Sequence, residues 1–257
     1  MALFNEEFRE KVKDFFSIAD SHMLNKLKRG IVVDENDCTS QFTSAVREQF
    51  PNHFPITIKA YSQKLPATIE QEWGVDGVIL LVDHELNQGK ICLFEAKIDR
   101  RNWDYIQKNS SPPVSHFSTQ LKRQKVPHAR GFIVWEQFYT ASQANSLCFM
   151  HNVAIEHKGE PTYDTIWRDA DISAACELQR GKGLPVNVGE IIQLACECTV
   201  GTPFSIDDVA VHLRQIPPVA SALLIEKQAP ELNDTLDEEL KRVFSEKREM
   251  KPRRRFS

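Results

Sequence analysis

Residues 74–82 read G-V-D-G-V-I-L-L-V, residues 91–98 read I-C-L-F-E-A-K-I, and the polar segment D-H-E-L-N-Q-G-K (83–90) joins them. Two apolar, β-branched runs around a short polar linker predict an antiparallel hairpin, with Gly89 as a turn position. Folded about its middle, the hairpin pairs residues whose numbers sum to about 172, which brings Asp76 beside Glu95–Lys97. Glu95 and Lys97 share a face, because strand side chains alternate. Whether Asp76 joins that face depends on a one-residue choice of register or on a bulge, and the residues alone leave both open.

Charged groups inside apolar strands need a reason. A buried charge is costly unless it is paired or bound to a metal. Two carboxylates at one end of a hairpin offer hard oxygen ligands suited to Mg²⁺ or Mn²⁺. A neighbouring lysine can hold or polarise a water for attack on phosphorus while the metal offsets phosphate charge. Asp76, Glu95 and Lys97 therefore form a minimal set for phosphodiester hydrolysis. The competing reading is a plain ion pair, since Glu-x-Lys recurs at Glu156–Lys158 and Glu239–Lys241. Glu239–Lys241 sits in a charged tail. Glu156–Lys158 follows an apolar run, with Glu136 on the preceding strand as a partner, but leads into a loop signal at 158–161.

Working outward, Phe4, Phe8, Val12, Phe15, Phe16, Ala19, Met23 and Leu27 recur at helical spacing, and this helix ends near Gly30. A second helix starts within Asp34–Thr39 and runs to Phe50. Residues 55–62 alternate as a strand does. Pro112 and Pro113 precede a short helix over Ser115–Gln124, and strands are expected at 131–139 and 147–156. Farther on, helices are expected at 187–198, at 205–214 with Asp207 and Asp208 near its N-terminus, and at 219–228. Three parts are expected: a core with its N-terminal helices (1–170), a helical C-terminal region (171–233) and a charged tail (234–257).

The order of acidic helix, strand G-V-D-G-V-I-L-L-V, turn, strand I-C-L-F-E-A-K-I, helix bearing Gln120 and further strand resembles the restriction-endonuclease-like PD-(D/E)XK nuclease superfamily over roughly residues 30–140. The resemblance implies an α/β fold with a central mixed sheet flanked by helices. It implies that Asp76 and Glu95 bind Mg²⁺ (or Mn²⁺) and that Lys97 activates water. Glu35 would supply a further metal-binding carboxylate, with Asp37 as second choice and simple helix capping as the alternative for both. Gln120 would be the polar active-site residue on the helix. Val75 stands where the family has its proline. Gln124 stands where the exonuclease branch has tyrosine, so the glutamine-to-tyrosine spacing of that branch is missing.

Arg100, Arg101 and Trp103, with Tyr105, follow the motif, and Lys122 and Arg123 follow Gln120. Basic residues among aromatics suit contacts to a nucleic-acid backbone and base stacking. A solvated, aromatic-anchored loop is the alternative. A net charge of −4 over 257 residues excludes a chain whose whole surface attracts nucleic acid, and leaves room for a local basic groove or a homodimer that assembles one. The basic run 247–255 reads as a solubilising tail, with phosphate tracking or targeting as alternatives. Six scattered cysteines read as buried, reduced thiols, and Cys196-Glu197-Cys198 lacks a second pair for zinc. His116 and His157 are isolated and receive no role. No signal peptide or membrane span is indicated, so a cytoplasmic protein is expected. The expected activity is metal-dependent cleavage of DNA, in restriction, anti-phage defence or repair. The alternative is a non-catalytic nucleic-acid or partner-binding protein that keeps the same core and uses its C-terminal helices as the interaction surface.

Overall fold

The computed structural model describes residues 2–50, 56–63, 72–107, 113–140, 142–158 and 166–227, together with Leu236 and 238–241. The elements in chain order are α1 (Glu6–Lys28), α2 (Glu35–Gln49), β1 (Ile56–Ser62), β2 (Gly77–Asp83), β3 (Gln88–Ile98), β4 (Ile106–Gln107), β5 (Val114–Ser115), α3 (His116–Ala129), β6 (Ile133–Tyr139) and β7 (Leu147–Met150). After these come α4 (His151–Lys158), α5 (Asp169–Gly181), α6 (Val188–Cys196), β8 (Phe204–Ser205), α7 (Ile206–Gln215) and β9 (Ser221–Lys227). The large sheet is mixed, in the order β1-β9-β2-β3-β6-β7, with β8 beside β3. Among the described residues, no helix is long and apolar enough to cross a membrane.

The hairpin expected from 74–98 is present. Gly77 pairs with Phe94 and Asp83 with Gln88, so paired numbers sum to 171. One residue before this pairing, the Asp76 N–H donates to Phe94 O (2.9 Å) and its carboxylate accepts from Ala96 N (2.9 Å), which sets Asp76 beside Glu95. Its N–H points to β3 and its carbonyl to β9, so the regular pairing ends at Gly77 and an irregular, bulge-like step brings Asp76 to Glu95 and Lys97. The turn differs from expectation. Gly89 lies within β3, and Asn87 takes the left-handed conformation (φ 51°) instead. Asp83 sets this turn by accepting hydrogen bonds from the N–H groups of Glu85 (3.1 Å) and Leu86 (3.3 Å).

The two sheet faces bury different layers. Ile79, Leu81, Cys92, Phe94, Trp135, Leu223 and Ile225 face α1, α2 and α6. Val78, Leu80, Ile91, Leu93, Val134 and Leu224 face α7 on the other side. On that second side, a third cluster joins Phe117 and Leu121 of α3 to Phe138, Phe149 and Trp167. Helix α1 forms where its apolar stripe predicts, with the Asn5 side chain accepting from Phe8 N at 2.9 Å as its N-cap.

Three expectations need correction. Residues 219–228, expected as a helix, contain β9, which runs parallel to β2 and antiparallel to β1 inside the sheet. A short apolar run has no periodicity that separates strand from buried helix, and here both neighbouring strands supply its hydrogen bonds. The region 171–233 is therefore neither wholly helical nor a separate part. Residues 147–156, expected as one strand, leave the sheet after Met150 and continue as α4. The tail 234–257 falls largely outside the described residues, as does the basic run 247–255.

Candidate functional site

The end of the sheet where β2 begins and β3 finishes carries the polar groups. Asp76 is held there by its backbone: its N–H donates to Phe94 O at 2.9 Å, and its carbonyl accepts from Ala220 N (2.8 Å) and Ser221 N (3.2 Å). Both strand neighbours thus fix its position. Glycine stands on either side for steric reasons. A Cβ on Gly77 would lie 2.3 Å from the Phe94 ring, and one on Gly74 (φ +64°) would lie 2.9 Å from the Gln120 carbonyl oxygen. These close approaches seat the 74–77 segment against β3 and α3.

The Asp76 carboxylate accepts a hydrogen bond from Ala96 N at 2.9 Å. Glu95, 2% exposed, accepts from both Lys97 Nζ and Gln120 Nε2 at the same oxygen. Gln120 reaches the site because α3 lies across this face. Ser115 caps that helix by accepting from Ser118 N, and the Gln124 amide ties it to Gly74 O at 2.7 Å. Arg123 turns the same way, with its Nε buried. Lys122, half a helical turn from Gln120, is exposed.

Glu35 opens α2 beneath the site. It is within 3.4 Å of Arg100 Nη2, and its charge acts on Asp76, Glu95 and Lys97. Asp34 is the N-cap of α2, accepting from Asp37 N at 2.8 Å. Asp37 lies with Asp34 in a separate cleft on the β1 side, so of the two candidates only Glu35 has an electrostatic influence on all three.

The electrostatics are those of crowded acids. Burial, then the charge on Glu95, raises Asp76 well above the usual carboxylate range. Burial raises Glu95 to about 7 against the pull of Lys97. For Lys97 burial works against the charge, but Glu95, Glu35 and Asp76 outweigh it and raise its pKa. Such a site favours added positive charge.

Two residues beyond the expected set belong to it. Glu136, fully buried, is the register partner of Glu95 across β3–β6, and among the described residues neither of its oxygens has a partner at hydrogen-bonding geometry, although the Gln124 amide lies near. Burial raises its carboxyl to about 8, opposed by the nearby Gln124 amide and Lys97. A glutamate within the apolar run I-V-W-E-Q-F-Y was the available signal, and it points to Glu95 instead of the Glu156–Lys158 pair. That rival is dispersed on the surface, with Glu156 on Lys182 (2.9 Å) and Lys158 on Asp171 (2.7 Å). His116, four residues before Gln120 on α3, is the other: burial, then Lys97 and Arg123, lower its pKa. The spacing of four was its signal.

Trp103 requires correction. It is 6% exposed, meets Phe117 and Phe138 edge-on at 5.3 and 5.0 Å, and donates from Nε1 to Asp169 at 3.0 Å. It is a core residue with no ring face to offer a base. Arg100 and Arg101 are exposed. Among the described residues, no three His, Cys, Asp or Glu side chains are grouped to hold a metal ion. Asp76 and Glu95 remain as two carboxylates, the number with which Mg²⁺ commonly binds when waters and substrate phosphate complete its shell. Five of the six cysteines are buried, and all are free thiols.

Set beside protein-family models, curated proteins and solved structures, the chain matches none.

Proposed function

We propose that the protein is a Mg²⁺- or Mn²⁺-dependent nuclease of the PD-(D/E)XK type that hydrolyses phosphodiester bonds in DNA. The observation that carries the proposal is the convergence of Asp76 and Glu95 across the hairpin, with Lys97 on the same face and Gln120 arriving from α3. A structural ion pair would need only Glu95 and Lys97. Here a second acid faces them, a third (Glu136) is buried unpaired alongside, and the glutamine amide fixes the Glu95 carboxylate.

A bound divalent ion would supply charge neutralisation at the phosphate and acidify a water. Asp76 and Glu95 would hold it, and the buried Glu136 carboxylate beside Glu95, without an ion-pair partner among the described residues, fits a site that gains from a nearby cation. Gln120 keeps the Glu95 carboxylate oriented. Lys97 is placed to hold the attacking water and to give charge to the developing phosphorane-like oxygen. Glu35 and Arg123 set the surrounding potential.

The test is cleavage of a labelled DNA with Mg²⁺ or Mn²⁺. Asp76→Ala, Glu95→Ala and Lys97→Ala should each lower the rate by about 10²-fold or more while circular dichroism stays unchanged. Undiminished cutting by all three folded variants rules the assignment out.

A further inference from the structure

Beyond Lys97 the chain runs through 99–105 and forms one wall of a surface cleft of about 680 Å³, whose other wall is 166–169. Trp103 and Trp167 form a buried aromatic floor. Above it, Tyr105 and Ile166, 50% and 40% exposed, stand together at the edge of this one cavity. The Tyr105 ring lies parallel to His116, with centroids 4.9 Å apart and 10° between planes. His116 is the residue whose pKa Lys97 helps to lower, so this stack leads from the cleft towards the carboxylates.

The cleft lining also carries three guanidiniums, set beside three carboxylates, Asp99, Asp104 and Asp169. It includes Arg100, Arg101 and Arg168, and among the described residues Arg101 and Arg168 form no ion pair. Most of the lining carboxylates are already engaged. Asp104 is buried and accepts from Ser115 Oγ (2.7 Å), Phe117 N (2.9 Å) and Trp167 N (2.8 Å), while Asp169 holds the Trp103 indole. Guanidiniums beside an exposed ring supported from below match an anion joined to a flat aromatic group.

We infer that this cleft takes an unpaired nucleotide of a single-stranded nucleic acid, its base on Tyr105 and its phosphates on Arg101 and Arg168. The inference rests on the nuclease reading for what happens next, since the strand so held continues towards Asp76, Glu95 and Lys97. A base inside a duplex has both faces covered by its neighbours and cannot use Tyr105. The preference therefore falls on single strands, frayed ends or displaced strands.

The experiment is binding of a labelled oligothymidylate of about 16 nucleotides by fluorescence anisotropy in EDTA, where metal-dependent cleavage is off. Tyr105→Leu keeps an apolar cover over His116 and removes the aromatic face, so it should weaken binding by about tenfold, whereas Tyr105→Phe should bind as the native chain does. The double variant Arg101→Ser, Arg168→Ser should make the plot of log K against log salt shallower by about 1.4, the share of two single-strand phosphate contacts. A duplex of the same length should bind with no dependence on Tyr105. Native binding by Tyr105→Leu, an unchanged salt slope in the arginine variant, or equal Tyr105 dependence with duplex overturns the inference. Tyr105-dependent binding by a native chain that fails to cut with Mg²⁺ or Mn²⁺ supports the cleft and sinks only the nuclease reading.

Discussion

Glu136 is the residue whose position is hardest to explain by packing alone. It is fully buried in β6, beside Glu95, with neither oxygen at hydrogen-bonding geometry to any described residue. A buried acid of this kind makes stability depend on pH. In the unfolded chain it titrates near 4.5, and in the folded chain at about 8. Between those values the folded state holds the proton more tightly, so stability is fully present below the lower value and is lost as pH rises through the upper one. Glu95, at about 7, acts in the same direction over pH 4.5 to 7. Each pH unit in the Glu136 window should remove on the order of 1 kcal/mol. Glu136→Gln has no proton to lose, so urea denaturation between pH 5 and 8 should show a flatter profile for the variant and higher stability than the native chain at pH 8. Parallel profiles would contradict this. At this scale the sequence was informative where charge interrupts an apolar run: Asp76, Glu95 and Lys97 stand out that way. Glu136 stands out equally, but its partner lies on a strand adjacent only after a crossover, and no local pattern names that neighbour. Trp103 was misjudged for a related reason. An aromatic just after two arginines reads as a surface platform until Phe117 and Phe138, both distant in sequence, are seen to cover it.

At the scale of the element, the β2–β3 hairpin carries the site because its register is fixed by contacts on both faces. Gly77 is the tightest of them, since a Cβ there would enter the Phe94 ring at 2.3 Å. Phe94 cannot yield freely: it stacks on Trp135 at 5.5 Å and meets Phe42 edge-on at 5.9 Å. Gly77→Ala should therefore cost about 1–3 kcal/mol, the usual penalty for overpacking, seen as a lower denaturant midpoint with an unchanged m-value. The same change displaces Asp76, so cleavage should fall further than stability does. A variant as stable as the native chain would show that the ring has room to move. Amphipathic helices and the hairpin were legible because their signals are local: a stripe at three- and four-residue steps, and two apolar runs about a polar turn. The turn residue was less so, because Asn87 and Gly89 both tolerate left-handed backbone and only the settled register tells them apart.

At the scale of the molecule, β9 overturns the division into a core over 1–170 and a helical region after it. Ser221–Lys227 lies between β1 and β2, bonded to both along its length. Leu223 and Ile225 complete the layer under α1 and α2, and Ala222 and Leu224 complete the layer under α7. Helix α6, also from the later half, packs its buried Val188, Ile191 and Ile192 into the first layer. β9 also fixes the site, through the Ala220 and Ser221 N–H groups that hold the Asp76 carbonyl. Sequence could not foresee this, because pairing across more than a hundred residues leaves no periodic trace in S-A-L-L-I-E-K. A fragment ending at residue 170 would expose the edge of β2, detach β1 and uncover the apolar groups beneath α1. Each large aliphatic side chain lost from these layers removes roughly 1.5–3 kcal/mol of burial, so Leu223, Leu224, Ile225, Ile191 and Ile192 together account for about 7.5–15 kcal/mol, as much as the 5–15 kcal/mol by which a domain is usually stable. The fragment should show no cooperative urea transition and weak near-ultraviolet dichroism, while the full chain unfolds cooperatively. Supplying 171–257 in trans should restore the transition if the two pieces reassemble the sheet. A fragment 1–170 that folds alone would mean that β9 is an addition to a finished core, and Asp76 would then owe its position to β3 and α3 only.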